Sequence, residues 1–600
     1  NALLGMVILF TDTEGVMPWK VALLGVLVLL GWGYVLAVPQ WSETVSSLGV
    51  YRAFFQTAPD TYQDFLDGVA SRTTLWYKEG VTANVAVSSF VNNSGVAERA
   101  LIINGKADAT TQADLPTQVL LAQIPLSLTQ DTGSVLVIGM GSGITSGSAL
   151  THPLRSLDCV EIAPEVVDCD YLFADANGHF LQDPRVHLFI DDAITFVKIN
   201  PKRYSCIISE PSNPWIAGIG NLFTSEFFEL MKQHLAKGGI LAQWFHTYEL
   251  NDEVFELVLR TLSHSFPHVM IWMPTDLDVI LTASTDPIVP RLDQIADRFR
   301  RTPVADDLSR IKISNAAALL STQAVANLDS SVVPLSGPLN SEKRPLLEFL
   351  APISFFSNSD VTLMDRIDRR YQEKDTTLVL SKLKRERKLG EQDYAGIANF
   401  QASIATDDFR LAVNSAQAAL AVNPDNVDAI SILSVVAKQT GDTLQRLATL
   451  GRLAELKDDN PSVLSTYAME FFDWKWRTDS AHFPNFVQLP EQLLRRSIDL
   501  SEGQNELFFL DLGRVLRAAG NFQGSADAYG SALQLRDKYE PMDASVTDEQ
   551  LAALAADGYL TVHDAGKAAE YIGRLREIDS LSAELPALMR RLTVESKGRI

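Results

Sequence analysis

Cysteine is scarce in this chain. Three residues in 600, Cys159, Cys169 and Cys206, stand apart with no CxxC pair among them. That spacing excludes a cysteine-rich zinc site, and an odd number is a poor basis for a disulfide framework. We read them as reduced, buried thiols and expect no metal. A basic face is missing too. Lys and Arg number 51 against 74 Asp and Glu, for a net charge of −23. A nucleic-acid binder needs the opposite balance, so no nucleic-acid partner is expected. Acidity fits cationic small molecules and equally fits plain solubility. The chain also lacks an initiating Met. It opens on Asn1 inside the apolar stretch Ala2–Phe10, and reads as a piece of something longer.

What is present is a chain too long for one core, with 46% hydrophobic and 21% charged residues. Val21–Pro39 is an uncharged run of 19 residues flanked by Trp19, Lys20 and Trp41. This is close to the roughly 20 residues that cross a bilayer, so residues 1–40 are read as truncated membrane-spanning sequence. A signal peptide and a buried helix are the alternatives. Residues 41–69 form a polar connector. Between 70 and 130, the segments TLWYKEG, NVAVSSFV and ERALIIN alternate with period two and predict a small antiparallel β domain.

From Ser134 the pattern changes. SVLVIG, LDCVEI, RVHLFI, SCIISE and GGILAQW are apolar runs separated by helical segments. Continuous apolar runs suit parallel strands buried on both faces. The alternation predicts an α/β fold, a Rossmann-like doubly wound sheet over 131–355 with an extension that includes the strand DVILTAS. Residues 356–392 are charge-rich and read as a linker. From 393 to 600 the chain reads as an α-helical repeat domain. DDFRLAVNSAQAALAVNPDNVDAISILSVVAKQTGD has the form of a tetratricopeptide repeat, and a plain helical bundle is the alternative.

Gly139-Met-Gly141-Ser-Gly143-Ile follows a strand and opens a helix. Glycines there let backbone N–H groups approach a ligand at the positive end of a helix. The spacing is GxGxG, short of the full dinucleotide fingerprint. Glu161 ends the next strand, where a carboxylate can accept both ribose hydroxyls. Asp191 and Asp192 end the third strand, where a carboxylate can reach an adenine amine, or alternatively cap the following helix. Together these residues point to an adenosyl ligand without a pyrophosphate.

With those residues in view, SVLVIGMGSGITSGSALTHP, LDCVEIAPEVVD, DPRVHLFIDDAITFV and IISEPSNPWIAGIGNLFTSEFFELMKQHLAKGGILAQW resemble successive blocks of the spermidine synthase family. LIINGKADATTQADLPTQVLLAQIPL resembles the block before them, so the match covers roughly 70–250. GPLNSEKRPLLEFLAPISFF resembles a bacterial group in which such a domain follows membrane helices. The resemblance implies an aminopropyltransferase that uses decarboxylated S-adenosylmethionine on an amine or polyamine. It also implies an inner-membrane location with cytoplasmic soluble domains, and a homodimer. The helical repeats would add a protein partner.

On that resemblance Glu210 replaces the family's catalytic Asp, one methylene longer, and Asn213 replaces a second acid. Asn104 stands for an Asp, Asp108 for a Gln, and Thr117-Gln118-Val119 for a Tyr-His-Glu stretch. Asn104, Asp108, Gln118, Asn213, Trp215 and Gln243 are the expected substrate-side residues. Asp108 and Asp114 are cation partners or solvated loop acids. Trp215 is a lid or packs against the second domain, and His246 is an alternative base. A methyltransferase using intact S-adenosylmethionine and a non-catalytic nucleoside or polyamine sensor are the rival functions.

Overall fold

The computed structural model describes residues 61–597, apart from 93–94, 373–374, 480–485 and 544, together with scattered positions between 25 and 49. The apolar run read as a membrane span lies mostly outside the described residues. Among those described, no helix is long and apolar enough to cross a membrane. The chain forms two compact units, 1–291 with 327–367, and 292–326 with 368–600.

The first unit is α/β. Its small sheet is an antiparallel meander of β1 (Thr73–Glu79), β2 (Asn84–Val91), β3 (Ala97–Ile103) and β4 (Lys106–Thr110). Asn104 and Gly105 make the β3–β4 turn with φ of +50° and +84°, the left-handed pair that a two-residue hairpin requires. Further along, Ala107 pairs with Ile102 and Ala109 with Leu101, so Asp108 is the extra residue of a bulge. Helix α1 (Leu115–Leu128) follows and is buried almost throughout, which explains its apolar content on all sides.

The large sheet carries β5 (Ser134–Ile138), β6 (Ser156–Glu161), β7 (Val186–Ile190), β8 (Tyr204–Ser209), β9 (Leu235–His246), β10 (His268–Trp272) and β11 (Asp278–Ser284). Their order in space is β10-β11-β9-β8-β5-β6-β7. Strands β5 to β9 are parallel, with α2 (Ile144–Leu150), α3 (Pro164–Asp168), α4 (Ala193–Ile199) and α5 (Ser225–His234) in the connections. The expected doubly wound parallel sheet is present in these five strands, and the extension strand differs from it. Strand β11 runs antiparallel to both β9 and β10. The link from β10 to β11 is too short for a crossover, so only an antiparallel return is open to it. Beyond the sheet lie α6 (Asp252–Ser265) and α7 (Leu346–Phe356).

The second unit is helical. Its helices run in succession from Glu391–Ile404 and Arg410–Val422 through Val427–Gln439, Thr443–Leu456 and Pro461–Thr478 to Leu585–Lys597. Asn426, Asn460 and Asn505 each cap a helix by accepting from its first-turn N–H groups. Residues 292–326, expected with the α/β region, belong to this unit. Ala316–Leu320 packs on Glu391–Ile404, the Gln401 side chain donates to the carbonyl of Ser321 at 3.2 Å, and Asn315 donates to the carbonyl of Gln392 at 3.0 Å.

Candidate active site

Strand order reverses between β5 and β8, and ligands of open α/β sheets sit outside the strand ends at such a point. The chain there makes a close approach. Gly139 follows β5 with φ of +88°, and a side chain on it would meet the Glu210 carbonyl oxygen at 2.6 Å. Glu210 N–H in turn donates to the carbonyl of Ile138 at 3.0 Å. The glycine loop and Glu210 are thus neighbours because the backbone holds them so. Gly143 also has positive φ, +77°, and abuts the Phe180 ring.

Glu161 at the end of β6 is 7% exposed. The N–H groups of Met140 and Ala163 donate to its two oxygens, each at 2.9 Å. Burial raises its carboxyl above the ordinary range, while those N–H groups pull the other way. It therefore anchors the glycine loop through backbone N–H groups on either side of it. Asp192 caps α4, accepting from Thr195 N–H at 2.8 Å, and Asp191 accepts from Asp192 N–H at 2.8 Å. Asp192 thus takes the helix-capping role given as its alternative. Ile162, absent from the expected site, projects beside Glu161 and is 53% exposed.

The other side of Glu210 is acidic. Thr145 Oγ1–H donates to Glu210 Oε2 at 2.6 Å. Burial, then the charges of Asp114, Asp278 and Asp108, push the Glu210 carboxyl up to about 8 despite that bond. Asp114 is pushed up to about 7, first by burial and next by Asp278, with Lys106 opposing. Asp278, 8% exposed, accepts from Thr117 Oγ1 at 2.7 Å, Trp244 Nε1 at 3.2 Å and Thr275 Oγ1 at 3.2 Å. Burial raises it as well. Asp108 pairs with Lys106 at 2.6 Å and accepts from Ser212 Oγ at 2.9 Å.

Asp278, Lys106 and Thr145 were missed in the sequence. Asp278 starts β11 opposite His246, the last residue of β9. Because β11 is antiparallel, its first residue lies at the same edge as the last residues of the parallel strands. Asp108 reaches the site through its bulge.

The remaining expected residues divide. Gln118 is buried, accepting from Ser142 Oγ at 2.5 Å and donating to the carbonyl of Thr110 at 2.9 Å. Asn213 and Gln243 are fully buried, and Asn213 Oδ1, Gln243 Oε1 and Trp215 Nε1 have no hydrogen-bond partner among the described residues. Trp215 packs inward, with ring centroids 4.7 Å from His246 and 5.0 Å from Phe355. The alternative base His246 is buried in this aromatic cluster, its Nδ1 2.8 Å from the carbonyl of Tyr248. Asn104 is not brought to the pocket. Its side chain is exposed and accepts from Asn84 N–H at 2.9 Å, because the left-handed turn uses it there.

The glycine loop, its carboxylate and a cluster of acidic side chains thus meet at the switch point of a Rossmann-like sheet. Residues 115–275 match the spermine/spermidine synthase domain. It is 30% identical over 184 residues to a polyamine aminopropyltransferase of Alkaliphilus oremlandii, covering 28% of this chain and 64% of that protein. It is 28% identical over 234 residues to a spermidine synthase of Coffea arabica, covering 38% and 66%. The chain thus spans about two thirds or less of each relative. The crystal structure of spermidine synthase from Thermotoga maritima aligns over 38% of this chain and 78% of its own, with 20% identity and a TM-score of 0.33.

Proposed function

We propose that the protein is a spermidine synthase-like transferase that moves an aminopropyl group from decarboxylated S-adenosylmethionine to an amine. The observation that carries this reading is the set of four carboxylates, Asp108, Asp114, Glu210 and Asp278, beside the glycine loop with one buried ammonium among them. Carboxylates in such excess, Asp278 buried and the other three partly buried, favour a cationic ligand, which would relieve their mutual repulsion.

Glu161 and the backbone of Gly139–Gly143 would hold the ribose, Ile162 would flank the base, and Asp191 with Asp192 would lie toward the base amine. Glu210 is the candidate general base. It would take the proton from the acceptor nitrogen as that nitrogen bonds to the methylene beside the sulfonium. The C–S bond breaks with its electron pair going to sulfur, which leaves neutral methylthioadenosine. A carboxyl near 8 suits this task, since a base works best with a pKa near the operating pH.

A methyltransferase would have to seat the carboxylate of intact S-adenosylmethionine near these acids, which like-charge repulsion disfavours. The helical unit fits tetratricopeptide-like repeats that bind a protein partner. Membrane attachment and a homodimer remain part of the reading on the resemblance alone. The test is to incubate the chain with decarboxylated S-adenosylmethionine and an amine panel. Release of methylthioadenosine with at least one amine is expected. Release with none, while methylthioadenosine itself binds, would favour a sensor.

A further inference from the structure

Among the described residues, the buried ammonium beside these carboxylates is the protein's own. Lys106 is 4% exposed, and its Nζ lies 2.6 Å from Asp108 Oδ1, whose side chain is 12% exposed. Ser212 Oγ, two residues beyond Glu210, donates to that same oxygen. Lys106 is also close enough to Asp114 and Asp278 to ease the ionisation of both. A Lys side chain is four methylenes ending in an ammonium, and is in chemical terms a tethered butylammonium. A buried ion of this kind persists only with partners, and this one has three acids around it.

Two of the local features that put it there are structural. The Asn104-Gly105 turn starts β4 at Lys106, and the bulge at Asp108 turns the carboxylate to meet the lysine. Glu210, by contrast, is bonded only by Thr145 among the side-chain contacts described, and lies against the glycine loop.

We propose that Lys106 determines acceptor specificity by filling the subsite that a second ammonium of a polyamine would occupy. The acceptor is then a compact amine with one cationic nitrogen, held at Glu210. This rests on the aminopropyl-transfer reading of the site. A diamine entering the same pocket would bring its far ammonium against Lys106, with both repulsion and lost volume opposing it.

Calorimetry on the full chain with methylthioadenosine present tests this with propylamine, 1,4-diaminobutane and spermidine. Wild type should bind propylamine at least as tightly as 1,4-diaminobutane. Lys106→Ala should free Asp108 and about a butylammonium's volume, and so shift the preference toward 1,4-diaminobutane by at least tenfold. Lys106→Met keeps the bulk without the charge and should show no such shift. An unshifted preference in Lys106→Ala, or the same shift in Lys106→Met, overturns the proposal and leaves the aminopropyl reading standing. So does a wild type that prefers spermidine, a result that needs no variant to fold. No amine bound by any form overturns both.

Discussion

The two halves of the site are built from different materials. The half proposed for the nucleoside is mostly backbone: a glycine loop, N–H groups directed at Glu161, and a strand order that brings Gly139 against Glu210. The amine half is all side chains, drawn from a bulged edge strand, the start of α1, the end of β8 and the start of an antiparallel strand. Backbone geometry tolerates few residues at each position and leaves a recognisable motif. A side-chain cluster needs only net charge and shape, so its members can move along the chain.

The comparison can be broken at its seam. Gly139→Val places a side chain against the Glu210 carbonyl, in a φ region valine avoids. Both halves should fail together, with loss of methylthioadenosine binding by calorimetry and of turnover, while circular dichroism of the helical unit is retained. A loss confined to one half would mean the halves are not joined there.

Asp278→Asn sharpens the comparison. It removes one charge from the amine half and keeps the size of the side chain. The expected result is a rise of about tenfold in amine KM with nucleoside affinity unchanged, as suits one charge-assisted contact. A change in nucleoside affinity of similar size would place Asp278 in the other half.

The smallest effect is in pH. Glu210 must lose its proton to act, and its carboxyl is pushed up to about 8. The kcat/KM value should therefore climb with pH through neutrality and level off above about 8, falling by up to about tenfold per unit below that. A profile flat from pH 6 to 9 would assign the proton to another group.

The same contrast decides what could be read in the sequence. The Gly139–Ile144 loop and Glu161 are legible because each stands at the end of an apolar strand, within a local pattern. Asp278 is not, because its strand is buried on every residue and shows no alternation, and because only antiparallel pairing carries its first residue to the site. Lys106 was hidden by the turn and bulge around it, which no periodicity announces, whereas Asp108 is legible only through the family resemblance. Asn104 misled for the reason that a turn and a pocket both use such a residue. The helices after 391 were plain from their period, whereas the docking of 292–326 depends on tertiary packing and polar contacts such as Gln401 with Ser321.

The central claim is that one carboxylate, at the junction of the two halves, does the chemistry without holding the nucleoside. Glu210→Gln tests it most directly, measured for methylthioadenosine affinity and for its release from decarboxylated S-adenosylmethionine with the best amine. The account predicts affinity within about twofold of wild type and turnover lowered by a factor of about 100 or more. Turnover that survives the substitution, or nucleoside binding lost along with it, would contradict the account.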